Sequence, residues 1–141
     1  MSTVLWANQL IDGQVTSDES DKYALYRHLD KLDSICKSAG IPPISSFCDS
    51  TDLRFNMDEN LELPPGMNST NELMAQEGIW IDAAVAEQHL SRLLKVIREK
   101  KTRFGLIRND HDLVIAELEE SIAWTKDAAA CKAQFNFCIV M

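Results

Sequence analysis

Two helical patterns between Asp82 and Ala133, joined by Phe104-Gly105-Leu106-Ile107-Arg108-Asn109, constrain this chain more than any other stretch. In the first, Ala83, Ala86, Leu90, Leu93, Leu94 and Ile97 recur at steps of three and four, which lines one face of an α-helix. Asp82 stands where an N-cap side chain can satisfy free N–H groups. Arg98, Lys100 and Lys101 lie in the last turn, where the carbonyl end favours positive charge, and Gly105 is the expected stop. The second pattern opens on Asp110 and carries Val114, Leu118, Ile122, Thr125 and Ala129 on one face. Leu113, Trp124, Ala128 and Cys131 widen that stripe, which predicts contact with more than one neighbour. So short a connection makes the pair an antiparallel αα-hairpin, with Trp124 as a large packing residue.

A third helix is expected over residues 18–39. Ser17 or Asp18 can cap it, and Tyr23, Tyr26, Leu29, Leu32, Ile35 and Cys36 form its stripe. Gly40 and Pro42-Pro43 end it. Ahead of it, Val4 to Ala7 and a return near Gln14 to Thr16 suggest a small hairpin around Asp12-Gly13. At the other end, Phe135, Phe137 and Ile139 alternate with Asn136, Cys138 and Val140, a strand pattern able to pair with the N-terminal segment. Ile44 to Cys48 reads as one helical turn, and Leu53, Phe55 and Met57 alternate as a short strand would. The stretch from Asp49 to Asn68 is otherwise a long middle loop, either functional or packed down by its apolar residues. Ser69 and Glu72 have capping-box spacing for a short helix that Gly78 ends. Trp80 follows at a boundary between core and water. The expected class is therefore mainly α: one domain over 1–141, a helical bundle of three longer helices (18–39, 82–101, 110–133) with a minor β element near the termini.

A chain of 141 residues with 45% apolar content can bury a core without disulfide or metal support. No apolar run is long enough for a transmembrane segment, and the first ten residues lack the pattern of a secretory signal. Cys36, Cys48, Cys131 and Cys138 show no CxxC spacing, which favours reduced thiols and a cytoplasmic location. The net charge of −8 argues against nucleic acid as a partner. The charge is uneven. Arg92 to Arg103 holds six bases and one acid, whereas Asp49 to Glu77 holds seven acids and one base. Either the two segments neutralise each other inside the fold, the favoured reading for charge runs, or they form a two-signed surface that meets a partner.

The motifs that carry chemistry are sparse. Arg108-Asn109-Asp110-His111-Asp112 is the densest polar cluster and has residues for proton transfer, although carboxylates at a helix start are also what capping requires. Asp49-Ser50-Thr51-Asp52 is a second polar knot, equally suited to a turn or a cap. There is no HExxH, no GxSxG and no glycine-rich phosphate loop, so no cofactor or metal is implied. The terminal Cys138-Ile139-Val140-Met141 matches the C-a-a-X prenylation pattern of the farnesyl type. No polybasic stretch precedes it, and one prenyl chain alone anchors weakly, so the strand reading of the same residues is favoured.

Three functions follow as expectations. The leading one is a small acidic protein-binding module, an adaptor or an immunity-type inhibitor, that presents Asp52, Asp58, Glu59 and Glu62 together near Trp80. The second is an enzyme or small-ligand domain in which Asp49, Asp52, Arg108, Asp110 and His111 meet in one pocket. The third is membrane attachment through Cys138. A broad apolar helix face also admits a homodimer.

Overall fold

The structure, a computed structural model, describes residues 2–141. Its centre is a sheet, not a bundle. The N-terminal strand β1 (Val4–Ile11) turns through Asp12 and Gly13 into β2 (Gln14–Ser17), and the C-terminal strand β5 (Gln134–Val140) pairs antiparallel with the length of β1 from Val4 to Leu10. Two short strands, β3 (Cys48–Asp49) and β4 (Ile81–Asp82), complete β5 on its other edge, β3 in parallel and β4 antiparallel. The turn is a two-residue one with Asp12 at φ 49° and Gly13 at φ 76°, the primed geometry whose twist matches the flanking strands. β1 therefore continues well past the four residues that the sequence suggests.

The helices are α1 (Tyr23–Arg27), α2 (Leu29–Ala39), α3 (Thr51–Met57), α4 (Thr70–Glu77), α5 (Ala83–Lys100) and α6 (His111–Ala130), with a 3-10 turn at Ile44–Phe47. The fold is thus mixed α/β, which corrects the mainly-α bundle of three longer helices. The physical reason is visible in the terminal strands. Leu5, Ala7, Phe135 and Phe137 are fully buried, and Phe47 packs its ring 6.2 Å from Phe135 and 6.1 Å from Phe137. The α5–α6 hairpin packs part of its apolar stripe against this face of the sheet.

Alternation along paired strands gives the sheet two unlike faces. The first, with Leu5, Ala7, Phe135 and Phe137, belongs to the main core together with the buried stripe Ala83, Ala86, Leu90, Leu93, Leu94 and Ile97 of α5. In α6 the buried residues are Val114, Leu118, Ser121, Ile122, Thr125 and Ala128, whereas Leu113 and Cys131 are exposed. The second face carries Asn8 and Asn136, both fully buried. They bond side chain to side chain at 3.0 Å, Ser17 donates to Asn8 at 2.5 Å, and Asn136 donates to the Ile79 carbonyl at 2.9 Å. Each buried amide therefore has a partner, as burial demands. The middle segment covers this face, α3 lying against β5 and α4 against β2.

The helix expected over 18–39 is broken in two. Ser20 to Lys22 runs beside β1, with Leu5 and Lys22 exchanging backbone hydrogen bonds of 3.3 and 2.9 Å. Asp18 does not cap a helix. It takes the fully buried Lys22 ammonium at 2.9 Å, which also reaches the Ser20 carbonyl at 2.9 Å and Glu120 at 3.0 Å. From α6, Glu117 accepts Ala24 N–H at 3.1 Å and Leu25 N–H at 3.0 Å, capping α1 from outside the local sequence. Burial pushes the Glu117 carboxyl above its ordinary range. The expected strand at 53–57 is also overturned, because those residues form α3. Asp49 Oδ1 accepts Thr51 N–H at 2.9 Å and starts the chain turning there.

Candidate functional site

The connection between α5 and α6 is held from within. Lys101, at φ 48°, ends α5 in place of the expected Gly105, and Thr102 N–H returns to the Ile97 carbonyl at 3.2 Å. Phe104 is fully buried, its ring centroid 5.4 Å from that of His28, with the Lys31 ammonium 5.4 Å from its centre. Asp110 N–H donates to the Phe104 carbonyl at 2.7 Å. Asn109 Oδ1 accepts Phe104 N–H at 2.9 Å and His111 N–H at 3.1 Å. These bonds draw Phe104 and Asn109 together and force the residues between them outward.

The tip is shaped by two further devices. Gly105 has φ 104°, and a Cβ there would collide with the Arg108 carbonyl oxygen, so a side chain is excluded on both conformational and steric grounds. The Arg103 guanidinium donates to the Gly105 carbonyl at 2.8 Å and the Leu106 carbonyl at 2.9 Å. The result is an apolar knob on a fastened base: Leu106 is 97% exposed and Ile107 100%. A single exposed aliphatic residue is ordinary, but an adjacent, fully exposed pair at a braced tip is a patch that invites cover.

The knob sits in positive surroundings. Arg98, Lys100, Lys101, Arg103 and Arg108 are all exposed near it in the chain, against the exposed acids Glu99 and Asp112. Of the predicted polar cluster, the structure brings Arg108 and Asp110 together at 3.2 Å and adds His28, whose Nε2 is 2.8 Å from the nearly buried Asp110 carboxylate. The His28 hydrogen bond, aided by the Arg108 charge, holds the Asp110 carboxyl below its ordinary range. His111 turns away, its Nδ1 lying 2.6 Å from the Thr102 carbonyl. Asp110 is therefore a cross-brace between the α1–α2 junction and the loop. It is not the side-chain cap of α6.

The other predicted residues lie elsewhere. Asp49 is buried in β3 and accepts N–H groups from Thr51 and, at 3.0 Å, from Ile79, which ties the sheet edge to the middle segment. Asp52 accepts from Thr70 at 2.9 Å and Asn56 at 3.0 Å, joining α3 to α4. Trp80 is half-buried and donates to the Met74 carbonyl at 2.8 Å. Asp58, Glu59 and Glu62 are exposed in the connection between α3 and α4. Cys138 is buried in β5 between Trp6 and Asp49, and burial pushes its thiol up to about 11. Its side chain is thus built into the sheet, whereas lipidation needs an extended, accessible tail.

The main surface grooves do not collect these groups. One groove of about 580 Å³ at the end of α2 is lined by Asp33, Ser34, Lys37, Ile41 and Pro42-Pro43. Among the described residues no hydrogen bond or ion pair joins Asp49 or Asp52 to Arg108, Asp110 or His111. No group of three His, Cys, Asp or Glu among them could hold a metal ion, and no helix is long and apolar enough to cross a membrane.

Leu106 and Ile107 are absent from the candidates that sequence reasoning selects. A signal was present: two aliphatic residues without periodic partners, beside a glycine in a short helix–helix connection, between Arg103 and Arg108. Neither pattern rules nor composition says whether such a pair turns inward. Comparison of the chain with known protein families, curated proteins and solved structures finds no match.

Proposed function

We propose that this chain is a protein-binding module that docks through residues 103–108. The observation that carries the reading is the braced tip, on which Leu106 and Ile107 stand exposed while Arg103 and Asn109 fix the backbone beneath them. A preformed loop loses little conformational freedom on docking, which removes part of the cost of association. The Arg103 bonds also matter for burial, since two tip carbonyls already have donors and lose little when water leaves.

Magnitudes indicate the character of the partner. Full burial of a Leu and an Ile side chain gives about 3–6 kcal/mol in total. Association costs about 4–15 kcal/mol, so the knob alone holds no stable complex. The exposed cations around it must contribute, which favours a partner whose apolar pocket is rimmed by carboxylates.

The test is affinity capture from a lysate of the native organism by wild type and by Leu106→Asp with Ile107→Asp, read by quantitative mass spectrometry. Both side chains are exposed, so the variant should retain its thermal midpoint and lose the specific partner. Equal capture by a folded variant would reject the loop as the docking element.

A further inference from the structure

The acidic middle segment and the basic run are opposite in sign, yet they do not neutralise each other inside the fold. Four cations find partners outside the acidic segment, Arg92 with the Ala39 carbonyl, Lys95 with Glu99, Arg98 with Glu119 and Arg108 with Asp110, whereas Lys100 and Lys101 are exposed and make no ion pair among the described residues. On the acidic side, Asp58 accepts the Asn60 N–H at 2.9 Å, and Glu59 and Glu62 are exposed. Among the described residues no ion pair joins the two segments. Their places explain this. The basic loop belongs to the α5–α6 layer beside α2, and the acidic connection lies beyond α3, on the other face of the sheet.

The acidic connection also carries apolar surface. Met57 is 70% exposed and Leu61 42% exposed, on either side of the turn that Leu61 N–H closes on the Asp58 carbonyl at 3.2 Å. One chain thus displays an apolar knob with a basic rim and, elsewhere, an apolar turn with an acidic rim.

We infer that the occupant of the basic loop is a second copy of this chain, whose Met57–Leu61 turn with Glu59 and Glu62 receives Leu106 and Ile107. This inference rests on the docking role of the loop. The geometry favours a second copy over an anionic lipid surface, because it gives both exposed turns a counterpart and sets the exposed Glu59 and Glu62 against the exposed Lys100 and Lys101. The contact is heterologous: each copy offers one donor and one acceptor on different faces, so copies add head to tail until a ring closes or the chain runs on. Such an interface weakens with salt, since its charges are exposed.

The experiment uses the full chain in sedimentation velocity across protein and salt concentrations. Wild type should form a concentration-dependent series of oligomers that dissolves at high salt. A donor-defective variant (Leu106→Asp with Ile107→Asp) and an acceptor-defective variant (Glu59→Lys with Glu62→Lys) should each be monomeric. Their equimolar mixture should stop at a heterodimer, because one intact donor meets one intact acceptor. Wild type that remains monomeric throughout would overturn the inference, as would oligomers that both variants retain. A monomer whose loop variant still loses a captured foreign protein would overturn self-association and leave the docking reading standing. A monomer that sediments with phosphatidylserine vesicles through Leu106 and Ile107 would overturn both protein readings in favour of a lipid surface.

Discussion

Two exposed connections of this molecule are built in opposite ways. Residues 101–110 and residues 58–69 both carry charge and exposed aliphatic side chains. The first is anchored by a fully buried aromatic ring and fastened by side-chain bonds from Arg103 and Asn109. The second is held by short-range bonds alone, such as Asn60 N–H to Asp58, Met67 N–H to the Pro64 carbonyl at 3.1 Å and Asn68 N–H to Glu72 at 3.3 Å. A braced loop presents fixed apolar groups, and a locally held one can adjust to what meets it. That contrast separates a donor knob from an adaptable acceptor.

The largest effect expected from breaking the contrast is at the anchor. Phe104→Ala removes a fully buried ring and should destabilise the protein by about 3–5 kcal/mol. Leu61→Ala, in the other connection, should stay within about 0.5 kcal/mol of wild type, the range usual for surface positions. Urea unfolding of the two variants measures the difference, and similar midpoints would dissolve the distinction.

Next come the glycines. Gly105 and Gly66 both have positive φ, at 104° and 88°, but only a Cβ at Gly105 would meet backbone, whereas the space around Gly66 is open. Gly66→Ala should cost about 1–2 kcal/mol from conformation alone. Gly105→Ala should cost more, about 3 kcal/mol, because the Arg108 carbonyl must also move. Equal costs would show that the loop yields freely.

A smaller effect is expected from the caps. Asn109→Ala leaves Phe104 N–H and His111 N–H without their acceptor and should cost about 1–2 kcal/mol, with a matching loss of hydrogen-exchange protection at Phe104. Asp58→Ala removes an exposed acceptor and should cost about 0.5 kcal/mol.

The smallest effect sharpens the contrast through pH. His28 holds the Asp110 carboxyl below its ordinary range, so folding favours its ionised form. That contribution is fully present above the unfolded value of about 4 and is lost as pH falls through the folded value. The stability difference between wild type and Asp110→Asn should therefore shrink as pH falls below about 4. A difference that keeps growing below that pH would reject this sign.

How much of this was legible in the chain depends on where each residue's partners lie. The buried face of α5 could be read residue by residue, because its pattern is local and periodic. The C-terminal strand could also be read, from the alternation of Phe135, Phe137 and Ile139. The break between α1 and α2 could not. It depends on Leu5 pairing with Lys22 and on Glu117 capping α1 across ninety-odd positions of sequence. Within the candidate site, Arg108 and Asp110 were legible as polar neighbours, whereas His28 entered only when the α1–α2 junction packed against the loop. The class is hidden in the sequence for a related reason. Terminal strands look minor in sequence, and only their pairing shows that they form the centre.

By itself the sequence determined where helices and turns are favoured, since spacing, caps and glycine conformations act over a few residues. It also determined the uneven charge. The sequence allowed the C-terminal strand to pair with the N-terminal segment, but only the tertiary structure decided that β1 and β5 form the centre of the sheet, that buried Asn8 and Asn136 satisfy one another, and that the two charged segments face apart. It alone left Leu106 and Ile107 in water, because the direction of a loop side chain is set by which long-range contacts claim its neighbours, here Phe104, Asn109 and Asp110.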